Sequence, residues 1–109
     1  MQILIYKTDL VVEHAPTWLI PDSSVELRPQ ADHTVAAYVQ RPSRWPSLFG
    51  ASRPVRIGLL DEAAETFLRP AFKAGIAFRV RIVELDPAHL TDDRLARISV
   101  SVWGGNLLP

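Results

Sequence analysis

The chain has 109 residues, of which 48% are hydrophobic and 22% charged, and its twelve basic and twelve acidic side chains leave no net charge. This size fits one domain with one core, and the hydrophobic content is too high for a disordered chain. A nucleic-acid-binding domain usually carries a clear positive excess, and the absence of cysteine excludes disulfides, thiol nucleophiles and cysteine-bound zinc.

The first strand is predicted at the N-terminal apolar stretch, residues 2–7. Lys7 and Asp9 interrupt this stretch, and no small-residue cleavage site of a secretory signal peptide follows it. No run in the chain approaches the roughly 18 apolar residues of a membrane-spanning helix. We therefore expect a soluble, cytoplasmic protein.

The remaining strands of the N-terminal half lie between prolines and glycines, which are dense in this sequence. Residues 10–13 either continue the first strand or form a second one. Val25 and Leu27 alternate with polar neighbours, which predicts a strand over residues 24–28. A β-branched and aromatic run predicts the next strand over residues 34–40.

A long loop is predicted over residues 41–53, because Pro42, Pro46 and Gly50 interrupt any regular pattern there. Loops of more than about 12 residues without secondary structure are uncommon in compact domains and often functional. This segment is therefore the first place to look for a binding surface.

One short helix is predicted near residues 61–69, after a strand over residues 54–60. Asp61 is placed to cap its first turn, and Pro70 is expected to end or kink it near Arg69. Gly75 is expected to stop a further short turn. The apolar stripe of this helix is expected to consist of Leu60, Ala64 and Phe67.

The two clearest strands are predicted over residues 76–85 and 96–103, where apolar and polar residues alternate. The tail at residues 106–109 is expected to fray. The inward residues are expected to be Ile76, Phe78, Val80 and Ile82 in the first strand, and Ala96, Ile98, Val100 and Val102 in the second. The outward residues of the second strand are expected to be Arg97, Ser99 and Ser101.

These elements predict a mainly β fold, with α+β as an alternative. Strand follows strand with too little helix between them for parallel crossovers, so antiparallel pairing is expected. The architecture is an antiparallel sheet, a sandwich or a small barrel of about six to eight short strands, with one short helix at one opening. The whole chain, residues 1–109, is expected to form a single domain.

The candidate binding residues come from residues 41–56 and from the last strand. Clustered arginines attract phosphate, and exposed aromatic rings stack on bases or anchor protein interfaces. Residues 41–56 hold both types without any acidic residue. The candidates are Arg41, Arg44, Trp45, Phe49, Arg53 and Arg56. Trp103 joins them, because it points away from Val102 on its strand and is expected to cover a second layer or mark a subunit contact.

No catalytic, metal or cofactor motif appears in the sequence. There is no HExxH, no glycine-rich dinucleotide fingerprint, no P-loop and no nucleophile elbow. His14, His33 and His89 are scattered beside turns without metal-ligand spacing. We therefore expect no bound metal and no cofactor, and a non-enzymatic function is favoured over an enzymatic one.

The function that these features favour is a small non-enzymatic binding module that acts through protein–protein contact or self-association, in an inhibitor, immunity or assembly role. A first alternative is nucleic-acid or other polyanion binding through residues 41–56. A second alternative is a small enzyme whose site the sequence does not reveal. No membrane partner is expected.

Overall fold

The computed structural model describes residues 2–40, 54–86 and 96–105. This part of the chain forms six strands and one helix, so the prediction of a mainly β fold with one short helix is confirmed. The elements are β1 (Gln2–Val12), β2 (Ser24–Pro29), β3 (Val35–Val39), β4 (Val55–Leu60), α1 (Glu62–Lys73), β5 (Phe78–Asp86) and β6 (Arg97–Gly104).

The six strands close into an antiparallel barrel in the order β1-β4-β3-β2-β5-β6. The long first strand completes the closure, since it pairs with β4 at Leu10–Leu60 and with β6 at Ile3–Trp103. Residues 10–13, which the sequence left as a continuation or a second strand, continue β1 as far as Val12. Of the three architectures predicted, the barrel is therefore the one that forms.

Gly58 allows β1 and β4 to approach closely where they pair. It lies opposite Val12, and a Cβ atom at this position would come within 2.3 Å of the carbonyl oxygen of Val11. Real Cβ atoms do not approach backbone oxygens so closely, so this register requires a residue without a side chain. Glycine at position 58 is thus part of how the barrel closes.

Helix α1 crosses from one side of the barrel to the other. In the closed strand order, β4 and β5 occupy opposite positions, and α1 connects them. A helix of 12 residues spans about 18 Å, enough to cross the opening of a small barrel. Its buried residues, Ala64, Leu68 and Ala71, follow helical spacing, and Ala64 and Leu68 belong to the hydrophobic core. The helix therefore covers one end of the barrel.

The start of α1 is capped as the sequence predicts. The carboxylate of Asp61 accepts a hydrogen bond from the backbone N–H of Ala64 at 2.7 Å. Its other oxygen accepts one from the hydroxyl of Thr8 at 2.8 Å. The Asp61 side chain thus bonds a first-turn N–H that has no partner within the helix, and it connects the start of the helix to β1.

The end of α1 differs from the prediction, because the helix runs through Pro70 to Lys73 instead of ending near Arg69. Proline removes only one helical N–H, and the burial of Ala71 after it favours continuing the turn. The helix ends at Lys73 with Ala74 as its C-cap, and Gly75 follows with a φ of 71°, the left-handed conformation that glycine adopts without strain. The N–H of Ile76 closes this end by donating to the carbonyl of Ala71 at 3.1 Å.

The predicted apolar stripe of the helix was wrong at Phe67, which is 59% exposed. The inward positions are those of Ala64, Leu68 and Ala71. Leu60 and Ala64 are buried as predicted, but the buried stripe continues at Leu68 and Ala71, which leaves Phe67 outside it.

The strands β5 and β6 supply the deepest part of the core. Of the predicted inward residues, Val80, Ile82, Ile98, Val100 and Val102 are buried, with at most 3% of their surface exposed. The other three, Ile76, Phe78 and Ala96, are only half-buried, and Ile76 precedes β5. The predicted outward residues of β6 are less exposed than expected. Ser99 and Ser101 are also buried, so both faces of β6 are covered.

The weakest seam of the barrel lies between β2 and β5. These strands pair only at Ser24–Arg81 and Val25–Val80, and the contact extends to a hydrogen bond from the N–H of Ile82 to the carbonyl of Ser23 at 3.0 Å. The remainder of β2, residues 26–29, pairs with β3 but has no β5 partner within the described chain. The barrel wall therefore opens along this seam toward the helix end.

Two predicted features, the loop at residues 41–53 and the tail at residues 106–109, lie outside the described residues. Among the residues that the structure does describe, no helix has the length and apolar character needed to cross a membrane.

Candidate functional site

Of the seven predicted binding residues, the structure describes two, Arg56 on β4 and Trp103 on β6. The other five lie outside the described residues: Arg41, Arg44, Trp45, Phe49 and Arg53.

Arg56 is held in an ion pair with Glu13, which follows β1. Its guanidinium Nε donates to Glu13 Oε1 at 2.6 Å, and Nη2 donates to Oε2 at 3.2 Å. These hydrogen bonds raise the pKa of Arg56 above its ordinary value. The Glu13 carboxylate neutralises the charge of this guanidinium through two hydrogen bonds. A phosphate would therefore have to displace Glu13 to bind Arg56 in the same way.

The neighbours of Arg56 form a charge-balanced stripe on the outside of β2, β3 and β4. Tyr38 lies between Glu26 and Arg56 in the cross-strand register. The guanidinium of Arg28 lies 4.4 Å from the centre of the Tyr38 ring and donates to Glu26 at 3.0 Å. With two arginines and two glutamates, counting Glu13, this stripe has no excess positive charge to attract a polyanion.

Trp103 lies on the outer face of β6 and is half-buried. The cross-strand register places it between Ile3 on β1 and Arg79 on β5. This arrangement agrees with the prediction that Trp103 is on the opposite face to the core residues of β6.

Both strands that flank β6 are irregular beside it. The pairing of β1 with β6 shifts register between Ile3 and Thr8, and that of β5 shifts between Ile82 and Glu84. An extra residue in a strand re-aims the side chains around it. Tyr6 and Val83 lie within these irregular stretches, and both are turned outward, with 80% and 45% of their surfaces exposed.

An ion pair between Lys7 and Glu84 crosses the outer face of β6. Lys7 belongs to β1 and Glu84 to β5, and β6 lies between these strands. The hydrogen bond to Glu84 raises the pKa of Lys7. Ser99 lies between Asp9 and Glu84 in the cross-strand register and donates to Asp9 Oδ1 at 2.5 Å. Ser101 lines the same groove as Lys7 and Glu84.

These residues enclose a groove of about 320 Å³, which we call the Trp103 groove. It is lined by Ile3, Tyr6, Lys7, Val83, Glu84, Ser101 and Trp103. Of these, only Trp103 was among the predicted site residues. A signal for Val83 was present, since strand alternation placed it on the outer face, whereas Ile3 and Tyr6 fall in an apolar run with no clear face.

Arg56 and Trp103 do not form one site. Trp103 pairs with Ile3 near the start of β1, whereas Arg56 binds Glu13 just beyond its end. Ten strand residues extend about 30 Å, so the two candidates lie far apart on the barrel. The Trp103 groove and the Arg56 stripe are therefore separate surfaces.

The described residues include no group of three or more histidine, aspartate or glutamate side chains able to hold a metal ion. Their shifted pKa values belong to Lys7, Arg28, Asp32 and Arg56, and each follows from a hydrogen bond to a neighbour at the surface. These shifts are those of ion pairs and hydrogen-bonded neighbours at the protein surface.

No protein-family model, no curated protein and no solved structure matches this chain. Its binding surfaces must accordingly be inferred from its own geometry and charge.

Proposed function

We propose that this chain is a non-enzymatic binding module that associates with a second copy of itself through the Trp103 groove. The observation that carries the proposal is the cluster of exposed apolar side chains around a half-buried tryptophan. Ile3, Tyr6 and Val83 are 46%, 80% and 45% exposed beside Trp103. Contiguous exposed apolar surface favours contact with another protein, and tyrosine and tryptophan are the typical anchors of such contacts.

The charges of the groove suit a second copy. Lys7 and Glu84 give each groove one cation and one carboxylate, so the surface is neutral and complementary to itself. A two-fold axis would bring Lys7 of one copy toward Glu84 of the other, which keeps both charges paired. The zero net charge of the chain also removes long-range repulsion between copies.

The dimensions of the groove favour weak association. Three neighbouring strands are about 14 Å across, and the seven β1 residues from Ile3 to Asp9 extend about 23 Å. A patch of this size is smaller than the roughly 800 Å² that each partner buries in a standard interface. We therefore expect a dimer that dissociates on dilution, not a permanent one.

The experiment is sedimentation velocity of the purified chain over a wide range of concentrations. We expect the sedimentation coefficient to rise from the monomer value toward the dimer value as concentration increases. Val83→Arg should remove this rise, because two copies would each bring an unpaired guanidinium into an apolar contact.

The matched control is Val11→Arg. Val11 is also an exposed strand valine, at 57%, but it lies in the part of β1 that pairs with β4, away from the groove. This variant should associate like the native chain. A native chain that stays monomeric at every concentration, or two arginine variants with the same effect, would overturn the proposal.

A further inference from the structure

A second concave surface lies at the helix end of the barrel, where the β2–β5 seam is open. The rim cleft, as we call it, has a volume of about 510 Å³ and lies between helix α1 and the turn that joins β2 to β3. Small-molecule sites commonly have volumes of about 300 to 1,000 Å³. The cleft is thus large enough for a small organic ligand.

The lower wall of the rim cleft is apolar. Val35 at the start of β3 is only 3% exposed, and Pro29 lines the cleft at the end of β2. Phe72 supplies the helix side, with its ring 4.9 Å from that of Phe78 at the start of β5. A ligand in the cleft would therefore place an apolar body against these side chains.

The charged side chains of the rim cleft leave it positive. Arg69 donates to Glu65 one turn earlier at 2.9 Å, so these two charges offset each other. Lys73 also lines the cleft, and within the described chain no carboxylate forms an ion pair with it. One uncompensated ammonium beside an apolar wall attracts an anion more strongly than it would in open water.

The turn side of the rim cleft is held in place by its own hydrogen bonds. Gln30 donates its N–H to the carbonyl of Thr34 at 2.8 Å, and His33 donates its N–H back to the carbonyl of Gln30 at 3.2 Å. Asp32 accepts from the hydroxyl of Thr34 at 2.5 Å and from its N–H at 3.2 Å. The wall on this side is therefore formed before any ligand arrives, which lowers the entropy that binding would cost.

We propose that the rim cleft binds a small organic anion, in which an aromatic or aliphatic body carries one carboxylate, sulfonate or phosphate group. The body would lie against Val35 and Phe72, and the anionic group would contact Lys73. The inference is independent of the Trp103 groove, since the two surfaces share no residue.

The test uses naphthalene-2-sulfonate as the probe and naphthalene-2-sulfonamide as its neutral counterpart. Both are titrated into isotopically labelled protein while backbone amide signals are followed by NMR. We expect the sulfonate to shift the signals of His33, Val35 and Lys73, and to bind about five- to tenfold more tightly than the sulfonamide, since one charge–charge contact separates them.

Two substitutions and one control complete the test. Lys73→Gln should weaken sulfonate binding about five- to tenfold and leave sulfonamide binding unchanged. Gln30→Trp should weaken both probes, because it fills the cleft from the turn side. Lys7→Gln removes the same charge at the other lysine of the chain, outside the cleft, and should leave both affinities unchanged.

Three results would overturn the inference. The two probes could bind with equal affinity, Lys73→Gln and Lys7→Gln could weaken sulfonate binding equally, or the shifted signals could cluster at the Trp103 groove. A failure of the dimer experiment would alter none of these readouts, because Lys73 and Gln30 line the rim cleft and neither lines the Trp103 groove.

Discussion

Ser99 shows how a single hydroxyl on the outside of the barrel contributes to stability. It is 3% exposed, and its hydroxyl donates to the carboxylate of Asp9 on the neighbouring strand. Ser99→Ala removes this hydrogen bond and should lower the free energy of unfolding by about 1 kcal/mol. Urea unfolding followed by circular dichroism measures the change.

The control for this prediction is Ser101→Ala. Ser101 has the same chemistry on the same face of β6 and is similarly buried, at 7% exposure, but it lines the Trp103 groove and lacks the hydrogen bond to Asp9 that Ser99 forms. We expect it to cost less than about 0.5 kcal/mol. Equal losses for the two variants would show that burial alone accounts for both.

At the scale of the elements, the pairing of β1 with β4 depends on Gly58. Gly58→Ala would force its Cβ into the backbone of Val11, which no rotamer change can relieve. The strands would have to separate locally, and we expect a loss of about 2 kcal/mol or more in the free energy of unfolding.

The matched control is Gly105→Ala. Around Gly105 the nearest atom to an added Cβ is a methyl carbon of Ile76 at 3.9 Å, which is an ordinary contact. This variant should change stability by less than about 1 kcal/mol in thermal unfolding. If Gly58→Ala were no more destabilising than Gly105→Ala, the close approach of β1 and β4 would not be needed for closure.

Sequence patterns predicted those elements in which the spacing of apolar residues along the chain matches the residues that are buried in the fold. The alternation in β5 and β6 predicts their inward faces, because every second residue of a strand meets the core. Asp61 predicts the helix start, since a cap is a local interaction. The helix end was mispredicted at Pro70, because the burial of Ala71 in the folded chain outweighs a local preference.

The candidate surfaces were harder to predict because they depend on pairing between distant strands. Trp103 could be placed on the outer face from its own strand alone. Alternation along β5 also places Val83 on the outer face, whereas Tyr6 reaches the same groove where the pairing of β1 with β6 shifts register. Register shifts of this kind follow from three-dimensional packing and leave no periodic signal in the sequence.

At the scale of the whole molecule, the barrel should open first along the seam between β2 and β5. Within the described chain that seam has only two strand residue pairs, joined by the hydrogen bonds of Ile82 with Ser23 and Asp22 and by the Arg81–Asp22 ion pair, whereas β6 is paired along most of its length on both sides. The amide of Ile82 should therefore exchange its hydrogen about tenfold or more faster than that of Val100.

Native-state hydrogen exchange at low denaturant measures both rates. Exchange at Ile82 should respond weakly to denaturant, because a local opening exposes little surface, while exchange at Val100 should respond strongly. If both amides exchanged at one rate with one denaturant dependence, the barrel would open only as a unit.

The closure of the barrel by β1 on β6 also bears on how the chain is synthesised. Ribosomes make β1 first among the described strands and β6 last, yet these two strands are neighbours in the finished ring. During translation the edge of β1 that faces β6 therefore stays unpaired until β6 has been synthesised. Folding that depends on such distant pairing is slow, and an unpaired strand invites aggregation in the meantime. Lys7 and Asp9 place charged side chains on this unpaired edge of β1, and such charges disfavour pairing with another chain. Once β5 and β6 have been synthesised, Lys7 pairs with Glu84 and Asp9 accepts a hydrogen bond from Ser99.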